Sequence, residues 1–118
     1  MSKNYNKYKQ TILTLDPDVI YFTHSKIRKR FTGCNKLIED TLNEIQSKIT
    51  TIDDIPIITV YCDGHNYFTQ NNRRLYLYKK CKSKGLLKDN LINVLIKPMG
   101  KKRYTINNCS LNASAILN

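Results

Sequence analysis

The feature that most constrains the fold is a polar segment, residues 70–76, where a short strand passes directly into a helix. The segment reads Gln-Asn-Asn-Arg-Arg-Leu-Tyr, and it follows the strand-like run Tyr67-Phe68-Thr69. The first backbone N–H groups of a helix lack intrahelical acceptors, and the helix dipole is positive there. Two guanidinium groups at that position would repel the dipole unless an anion lay between them. The segment therefore predicts a phosphate-binding site.

Runs of β-branched and aromatic residues predict the sheet. We expect four strands, over residues 19–23, 57–61, 67–69 and 91–96. The second is the strongest and is expected at the centre, and Asp63-Gly64 predicts a hairpin after it. In residues 103–118 we expect a short strand around Tyr104 and a final turn of helix.

Apolar spacing predicts two amphipathic helices. The first follows a turn at residues 32–35, and its apolar positions are Leu37, Ile38, Leu42 and Ile45. The second runs from about Asn72 to Lys84 and is ended by Gly85. Its expected core positions are Leu75, Tyr78 and Cys81, and its expected solvent positions are Lys79, Lys80, Lys82 and Lys84.

This order of elements predicts one compact domain of the α/β or α+β class, with a mixed sheet flanked by helices. A chain of 118 residues suffices for one core and is too short for two. Residues 1–14 are polar and lysine-rich, so we expect a flexible N-terminal arm before a domain over residues 15–118.

The sequence also indicates a compartment and a class of partner. It has no apolar run of the roughly 18 residues that span a membrane, and its N-terminus lacks the apolar core of a signal peptide. We therefore expect an intracellular protein, cytoplasmic or nuclear, with no membrane partner. Residues 1–71 hold nine Lys and Arg against eight Asp and Glu, whereas residues 72–103 hold eleven against one. This block favours an anionic partner over a merely solvated lysine-rich surface.

The order of strand, polar turn, helix, strand, hairpin and Asn-Arg-Arg-Leu helix resembles the ParB/sulfiredoxin superfamily. The resemblance covers about residues 19–97 and depends on residues 55–60 (Ile-Pro-Ile-Ile-Thr-Val), Asp63-Gly64 and residues 70–75. In ParB-type members a Gly-x-Arg-Arg motif at the corresponding place contacts nucleotide phosphates, which implies that role for Arg73 and Arg74. A nucleoside triphosphate with Mg²⁺ is compatible with this resemblance, although the sequence does not identify the ligand.

The same resemblance argues against redox chemistry. Sulfiredoxins carry Cys-His-Arg at this turn, with the cysteine as nucleophile, whereas this chain has Asn72, Arg73 and Arg74. An amide cannot form the sulfur-linked intermediate. Chromosome-partition proteins of the superfamily add a helix-turn-helix domain for which these 118 residues leave no room, so we do not expect sequence-specific DNA reading by that route.

A second polar cluster is expected opposite the arginines. Thr23-His24-Ser25, Arg28, Arg30 and residues 32–35 leave a strand and enter a helix, and Gly33 would let backbone N–H groups approach a phosphate. Helix capping is the alternative for Thr32, and also for Asn71 and Asn72. Together the phosphate-binding candidates are Arg73, Arg74, Asn71, Asn72, Thr32, Gly33 and Arg28.

Three residues are weak catalytic candidates. His24 can act as an acid or base near neutral pH, although a histidine at a strand end is more often structural. Cys34 would be a reactive thiol if it lay at a helix N-terminus among cations, and a small buried residue otherwise. Glu39 stands where an acid favours the helix dipole without any further role. No Cys, His or carboxylate spacing indicates a metal site.

Three functions remain open at this point. The first is a nucleotide- or phosphate-binding ParB-like domain, acting as a switch or a phosphotransferase. The second is a nucleic-acid-binding module or ParB-like nuclease, in which aromatic residues stack on bases. Those aromatics, which core packing would explain equally, are Tyr61, Tyr67, Phe68, Tyr76, Tyr78 and Tyr104. The third is a non-catalytic domain that binds a protein partner. The sequence does not determine the oligomeric state.

Overall fold

A mixed sheet of five strands forms one layer of the protein. From one edge to the other its strands are Thr11–Leu15, Ile92–Pro98, Ile58–Cys62, Tyr67–Thr69 and Ile20–Tyr21. The computed structural model describes residues 11–116. The strands are β1 Thr11–Leu15, β2 Ile20–Tyr21, β3 Lys26–Arg28, β4 Ile58–Cys62, β5 Tyr67–Thr69, β6 Ile92–Pro98 and β7 Ser114–Ile116. The helices are α1 Ile38–Gln46 and α2 Asn72–Ser83. Short 3-10 helices lie at Pro17–Val19, Ile52–Asp54 and Lys88–Asn90.

Strand β4 lies at the centre of the sheet, as its sequence predicts. It pairs in parallel with β6 and antiparallel with β5, and residues 63–66 form the hairpin turn. Strand β2 joins β5 in parallel, and β1 joins β6 antiparallel. A separate two-stranded parallel sheet pairs β3 with β7. Because β2 and β5 are neighbours, the segment that leaves β2 lies beside the start of α2.

Both helices pack on one face of the large sheet, which confirms the expected α+β class and single domain. Ile58 and Val60 of β4 point to this face and are fully buried. They share one core with Leu42 of α1 and Leu75 of α2. The helices therefore bring the segments before α1 and α2 together at one end of the sheet.

The opposite sheet face carries no helix within residues 11–116, and we call it the open face. The pairing register places these side chains on it: Ile12, Thr14, Tyr21, Thr59, Tyr61, Phe68, Asn93, Leu95 and Lys97. Phe68 is fully buried there because Tyr104, from the segment after β6, packs against it with ring centroids 6.2 Å apart. The open face is therefore partly covered near β5 and more exposed toward β1.

The ends of the two helices differ in how well the sequence predicts them. Helix α2 ends as expected, because Gly85 adopts a positive φ of 69° and Leu86 N–H donates to the Cys81 carbonyl at 2.9 Å. Helix α1 begins at Ile38, later than expected, because Arg30 and Leu37 form an isolated β-bridge across residues 32–35. Thr32 therefore does not cap α1.

Three expectations need correction. Residues 1–10 of the predicted arm lie outside the described residues, but residues 11–14 belong to β1 and are paired with β6. The expected helical turn in the tail is wrong for residues 114–116, which form β7, and Tyr104 lies outside any strand. Local propensity does not reveal these short strands because their pairing partners are distant in sequence.

The expected solvent face of α2 is also partly wrong. Lys79 is half-buried, with its Nζ 4.8 Å from the centroid of the Phe22 ring and donating to the Leu111 carbonyl at 2.6 Å. Lys82 pairs with Asp16 at 2.9 Å and with Asp18 at 2.7 Å. Lys79 therefore links α2 to the segment that contains Leu111, and Lys82 links it to the segment that contains Asp16 and Asp18. Within residues 11–116 no helix is long and apolar enough to cross a membrane.

Candidate functional site

A cleft of about 740 Å³ opens between the start of α2 and the segment that joins β2 to α1. Helix α1 and the loop before β4 close its far side. The polar lining residues are His24, Lys26, Arg28, Thr32, Cys34, Lys36, Thr41, Glu44, Thr50, Gln70, Asn71, Asn72, Arg73 and Arg74. The apolar ones are Ile27, Phe31, Ile55 and Pro56. Residues of both polar clusters expected from the sequence therefore line the same cleft, although Thr23, Ser25, Arg30 and Asn35 of the second cluster are not among them.

Asn72 fixes one corner of the cleft. Its Oδ1 accepts from the backbone N–H groups of Thr23 at 2.8 Å and His24 at 3.3 Å, and its Nδ2 donates to Thr23 Oγ1 at 2.9 Å. Thr23 in turn donates from Oγ1 to the Thr69 carbonyl at 3.1 Å. The Asn72 amide thus joins the end of β2 to the start of α2 and does not cap the helix.

Asn71 occupies the N-cap position of α2, yet its side chain makes no capping bond. Its Oδ1 instead accepts from the Thr59 N–H at 2.9 Å, and its own N–H donates to Thr69 Oγ1 at 2.9 Å. The Asn71 Nδ2 donates to no atom of residues 11–116. One amide donor therefore remains available on the cleft wall.

Arg73 bridges the two sides of the cleft. Its guanidinium donates to Thr32 Oγ1, which belongs to the turn between β3 and α1. Arg74 also lines the cleft, and its guanidinium donates to the Ile57 carbonyl at 3.0 Å. Arg74 forms no ion pair with Asp63, whose carboxylate accepts from the His65 and Asn66 N–H groups within its own turn.

The cleft carries an excess of positive charge. Its charged lining residues are Lys26, Arg28, Lys36, Arg73, Arg74 and Glu44. Lys36 pairs with Glu44 at 2.5 Å, and this hydrogen bond holds the pKa of the Glu44 carboxyl below its usual value. The other four cations form no ion pair with any carboxylate of residues 11–116. An anion in the cleft would thus meet four cations that are not neutralised by a carboxylate of the described residues.

The helix terminus adds donors to this charge. The backbone N–H groups of Asn72, Arg73 and Arg74 find no acceptor within residues 11–116, whereas Leu75 N–H already bonds to the Asn71 carbonyl at 2.9 Å. Helix α2 has no acidic residue in its first turn. The positive end of its dipole is therefore uncompensated beside two arginines.

Thr41 is a further unsatisfied group in the cleft. Its side chain is only 5% exposed, and its Oγ1 has no hydrogen-bond partner in the described structure. A buried hydroxyl without a partner costs about 1–3 kcal/mol, so most buried side-chain polar atoms in folded proteins have one. The Thr41 hydroxyl is a second polar feature of the lining, on α1 and distinct from the arginines.

The remaining candidates divide between the cleft and the surface. His24, Arg28 and Cys34 line the cleft, although Cys34 precedes the first turn of α1 by several residues. Gly33 lies in the same turn with a positive φ of 91° and is not part of the lining. Glu39 is exposed on α1 outside the cleft.

Sequence reasoning did not find every lining residue. It missed Lys26, Lys36, Thr41, Glu44 and Thr50. Thr41 stands among the apolar positions of α1 and Glu44 follows three residues later, a spacing that places both on one helix side. That spacing was the only signal for this wall, because the other residues reach the cleft through tertiary contacts.

The lining offers little for a metal ion. No three His, Cys, Asp or Glu side chains within residues 11–116 converge to hold one. The single cleft carboxylate, Glu44, accepts from Lys36 and Thr50. Mg²⁺ is usually held by one or two carboxylates together with ligand phosphates. These residues therefore do not fit a protein-held Mg²⁺ site.

The geometry and charge of the cleft are the basis for inferring a function. Comparisons with protein-family models, with curated proteins and with solved structures found no match.

Proposed function

We propose that the cleft binds a phosphate-bearing small molecule, a nucleotide in the first instance, and that Arg73 and Arg74 hold its phosphates. The chain would then be a ParB-like nucleotide-binding domain. The observation that carries this proposal is the convergence of four cations without ion pairs and an open helix N-terminus on one cleft. Binding is the proposed activity, whether or not a nucleotide switch or a phosphotransfer reaction follows from it.

The size of the cleft favours a nucleotide over inorganic phosphate. Small-molecule sites are commonly about 300–1,000 Å³, and a cleft of about 740 Å³ lies within that range. Phosphate oxygens would be bound by Arg73, whose planar fork suits them. The Asn71 Nδ2 supplies a neutral hydrogen-bond donor for the rest of the ligand.

Isothermal titration calorimetry with ATP, ADP, CTP, GTP and inorganic phosphate tests this proposal. At least one nucleotide is expected to bind, and more tightly than phosphate does. An Arg73→Ala, Arg74→Ala double variant should weaken that binding about 10-fold or more, because it removes charge-assisted hydrogen bonds worth about 1.5–3 kcal/mol each.

The matched control is a Lys84→Ala, Lys88→Ala variant. It removes the same charge from exposed positions outside the cleft, so its affinity should stay within about twofold of the wild type. The proposal fails if no nucleotide binds, or if the control weakens binding as much as the arginine variant does.

A further inference from the structure

The open face of the sheet carries a group of aromatic side chains that do not line the cleft. Tyr21, Phe68, Tyr104 and Tyr61 form a continuous aromatic series across it, with successive ring centroids 5.4, 6.2 and 6.1 Å apart. Phe68 is buried and supplies the packing, while the three tyrosines stay partly exposed. Packing within the protein therefore leaves part of the surface of the three tyrosine rings exposed.

Positive charge lies at the Tyr61 end of the aromatic series. Lys97 is the register partner of Tyr61, and Lys102 places its Nζ 5.3 Å from the centroid of the Tyr61 ring. Lys101 and Arg103 flank Lys102, and all four cations are exposed. None of them pairs with a carboxylate of residues 11–116. None of the side chains that the register places on this face is acidic.

From this pattern we propose that the open face binds single-stranded nucleic acid, with Tyr61 and Tyr104 stacking on bases and Lys97 and Lys102 contacting phosphates. Partly exposed aromatic rings interleaved with cations are the arrangement that such surfaces share, because every base has a stacking face. Paired bases would not expose those faces to a sheet, so a duplex is a poor fit. The proposal does not depend on the function of the cleft.

Fluorescence anisotropy with labelled strands of about 12 nucleotides tests this inference. Oligo-dT and oligo-rU should both be tried, since either polymer offers bases and phosphates, and the preferred one identifies the natural class. Single strands should bind more tightly than a duplex of equal length. Affinity should fall steeply with salt, because each neutralised phosphate releases counterion.

Two pairs of variants separate stacking from charge. Tyr61→Leu should weaken binding by about fivefold or more, whereas Tyr61→Phe keeps the ring and should bind like the wild type. A Lys97→Gln, Lys102→Gln variant should lower the slope of log affinity against log salt by about 1.4, which corresponds to two phosphate contacts. Because both lysines are exposed, this variant tests the proposal even if Tyr61→Leu fails to fold.

Two controls define failure. Lys84→Gln with Lys88→Gln removes equal charge away from the open face and should change the salt slope much less. The Arg73→Ala, Arg74→Ala double variant should bind oligonucleotides about as tightly as the Lys84→Gln, Lys88→Gln control does. This should hold even if the arginine variant no longer binds nucleotides. The inference is overturned if single strands do not bind, if duplex binds equally well, or if the cleft or control variants lose binding as strongly as the open-face variants.

Discussion

The side chain of Asn72 forms two hydrogen bonds with Thr23, a residue 49 positions earlier in the sequence. Thr23 N–H donates to Asn72 Oδ1 at 2.8 Å, and Asn72 Nδ2 donates to Thr23 Oγ1 at 2.9 Å. The pair joins the end of β2 to the first residue of α2, where strand pairing has stopped. It therefore sets the distance between the cleft wall that carries His24 and the helix that carries Arg73.

Asn72→Ala is expected to lower the free energy of unfolding by about 2–3 kcal/mol. The change removes three hydrogen bonds and leaves the partly buried Thr23 N–H without a partner, although the Thr23 hydroxyl keeps its bond to the Thr69 carbonyl. Urea denaturation measures the difference. Asn43→Ala, at an exposed position of α1, is the control and should stay within about 0.5 kcal/mol of the wild type. An Asn72→Ala effect no larger than this control would contradict the structural role of the pair.

The central part of the fold follows from sequence because it is local. Strands β4 and β5 are joined by a short turn, and α2 follows at once, so propensity, turn and capping signals agree. By contrast, β7 is a three-residue strand whose partner, β3, lies more than eighty residues earlier. No local pattern specifies such a pairing.

The candidate site was predictable to a similar extent. Arg73 and Arg74 could be predicted because positive charge at a helix start is unusual. The turn at Thr32 could be predicted because hydroxyl and glycine residues precede a helix. The structure brings these two clusters to one cleft. The wall with Thr41 was not visible, because a threonine among apolar helix positions reads as core. The function of Asn72 was also hidden, since its partner Thr23 is distant in sequence.

The two arginines are expected to differ in their effect on stability. Arg74→Ala should cost about 1 kcal/mol, because it removes a hydrogen bond to the Ile57 carbonyl. Arg73→Ala should be close to neutral, because the hydrogen bond that it removes goes to the exposed Thr32 hydroxyl, where water can replace it, while positive charge at the helix start is relieved and a better helix former is introduced. Urea denaturation of each single variant, in a buffer without phosphate or sulfate, checks this. Equal destabilisation by the two changes would contradict the distinct contacts of the two side chains.

Lys79 makes stability depend on pH above neutrality. Burial lowers the pKa of Lys79 to about 8 from its ordinary 10.5, so the folded state holds an unfavourable charge below pH 8 that unfolding relieves. Between about pH 8 and 10.5 the unfolded state binds more protons, and this contribution raises stability as pH rises. Lys79→Met should remove the effect, so wild type should gain about 1 kcal/mol relative to the variant between pH 7 and pH 10, after allowance for solvent screening.

Urea denaturation of both proteins at the two pH values measures this difference. Lys80→Met changes the exposed neighbour in the same helix and keeps Lys79. The difference in stability between wild type and Lys80→Met should therefore stay the same at the two pH values. A constant difference between wild type and Lys79→Met across the range would mean that the contacts to Phe22 and Leu111 compensate for burial completely.

Alkylation of Cys34 offers a test of cleft occupancy that does not depend on binding heats. The thiol is exposed and lines the cleft, whereas Cys81 is buried and burial raises its pKa to about 11. Iodoacetamide at pH 8 should therefore modify Cys34 quickly and Cys81 only after denaturation, because the thiolate is the reactive form. If a nucleotide fills the cleft, then at ten times its Kd the rate at Cys34 should fall about 10-fold.

Peptide mass mapping over time separates the four cysteines in this experiment. Cys109 is the internal control, because it is half-buried outside the cleft and should react at the same rate with and without ligand. In the Arg73→Ala, Arg74→Ala variant the protection of Cys34 should disappear while its unprotected rate changes little. Protection that persists in this variant would place the ligand against Cys34 without the arginines, and protection of Cys109 as well would indicate a general tightening of the fold instead of occupancy of the cleft.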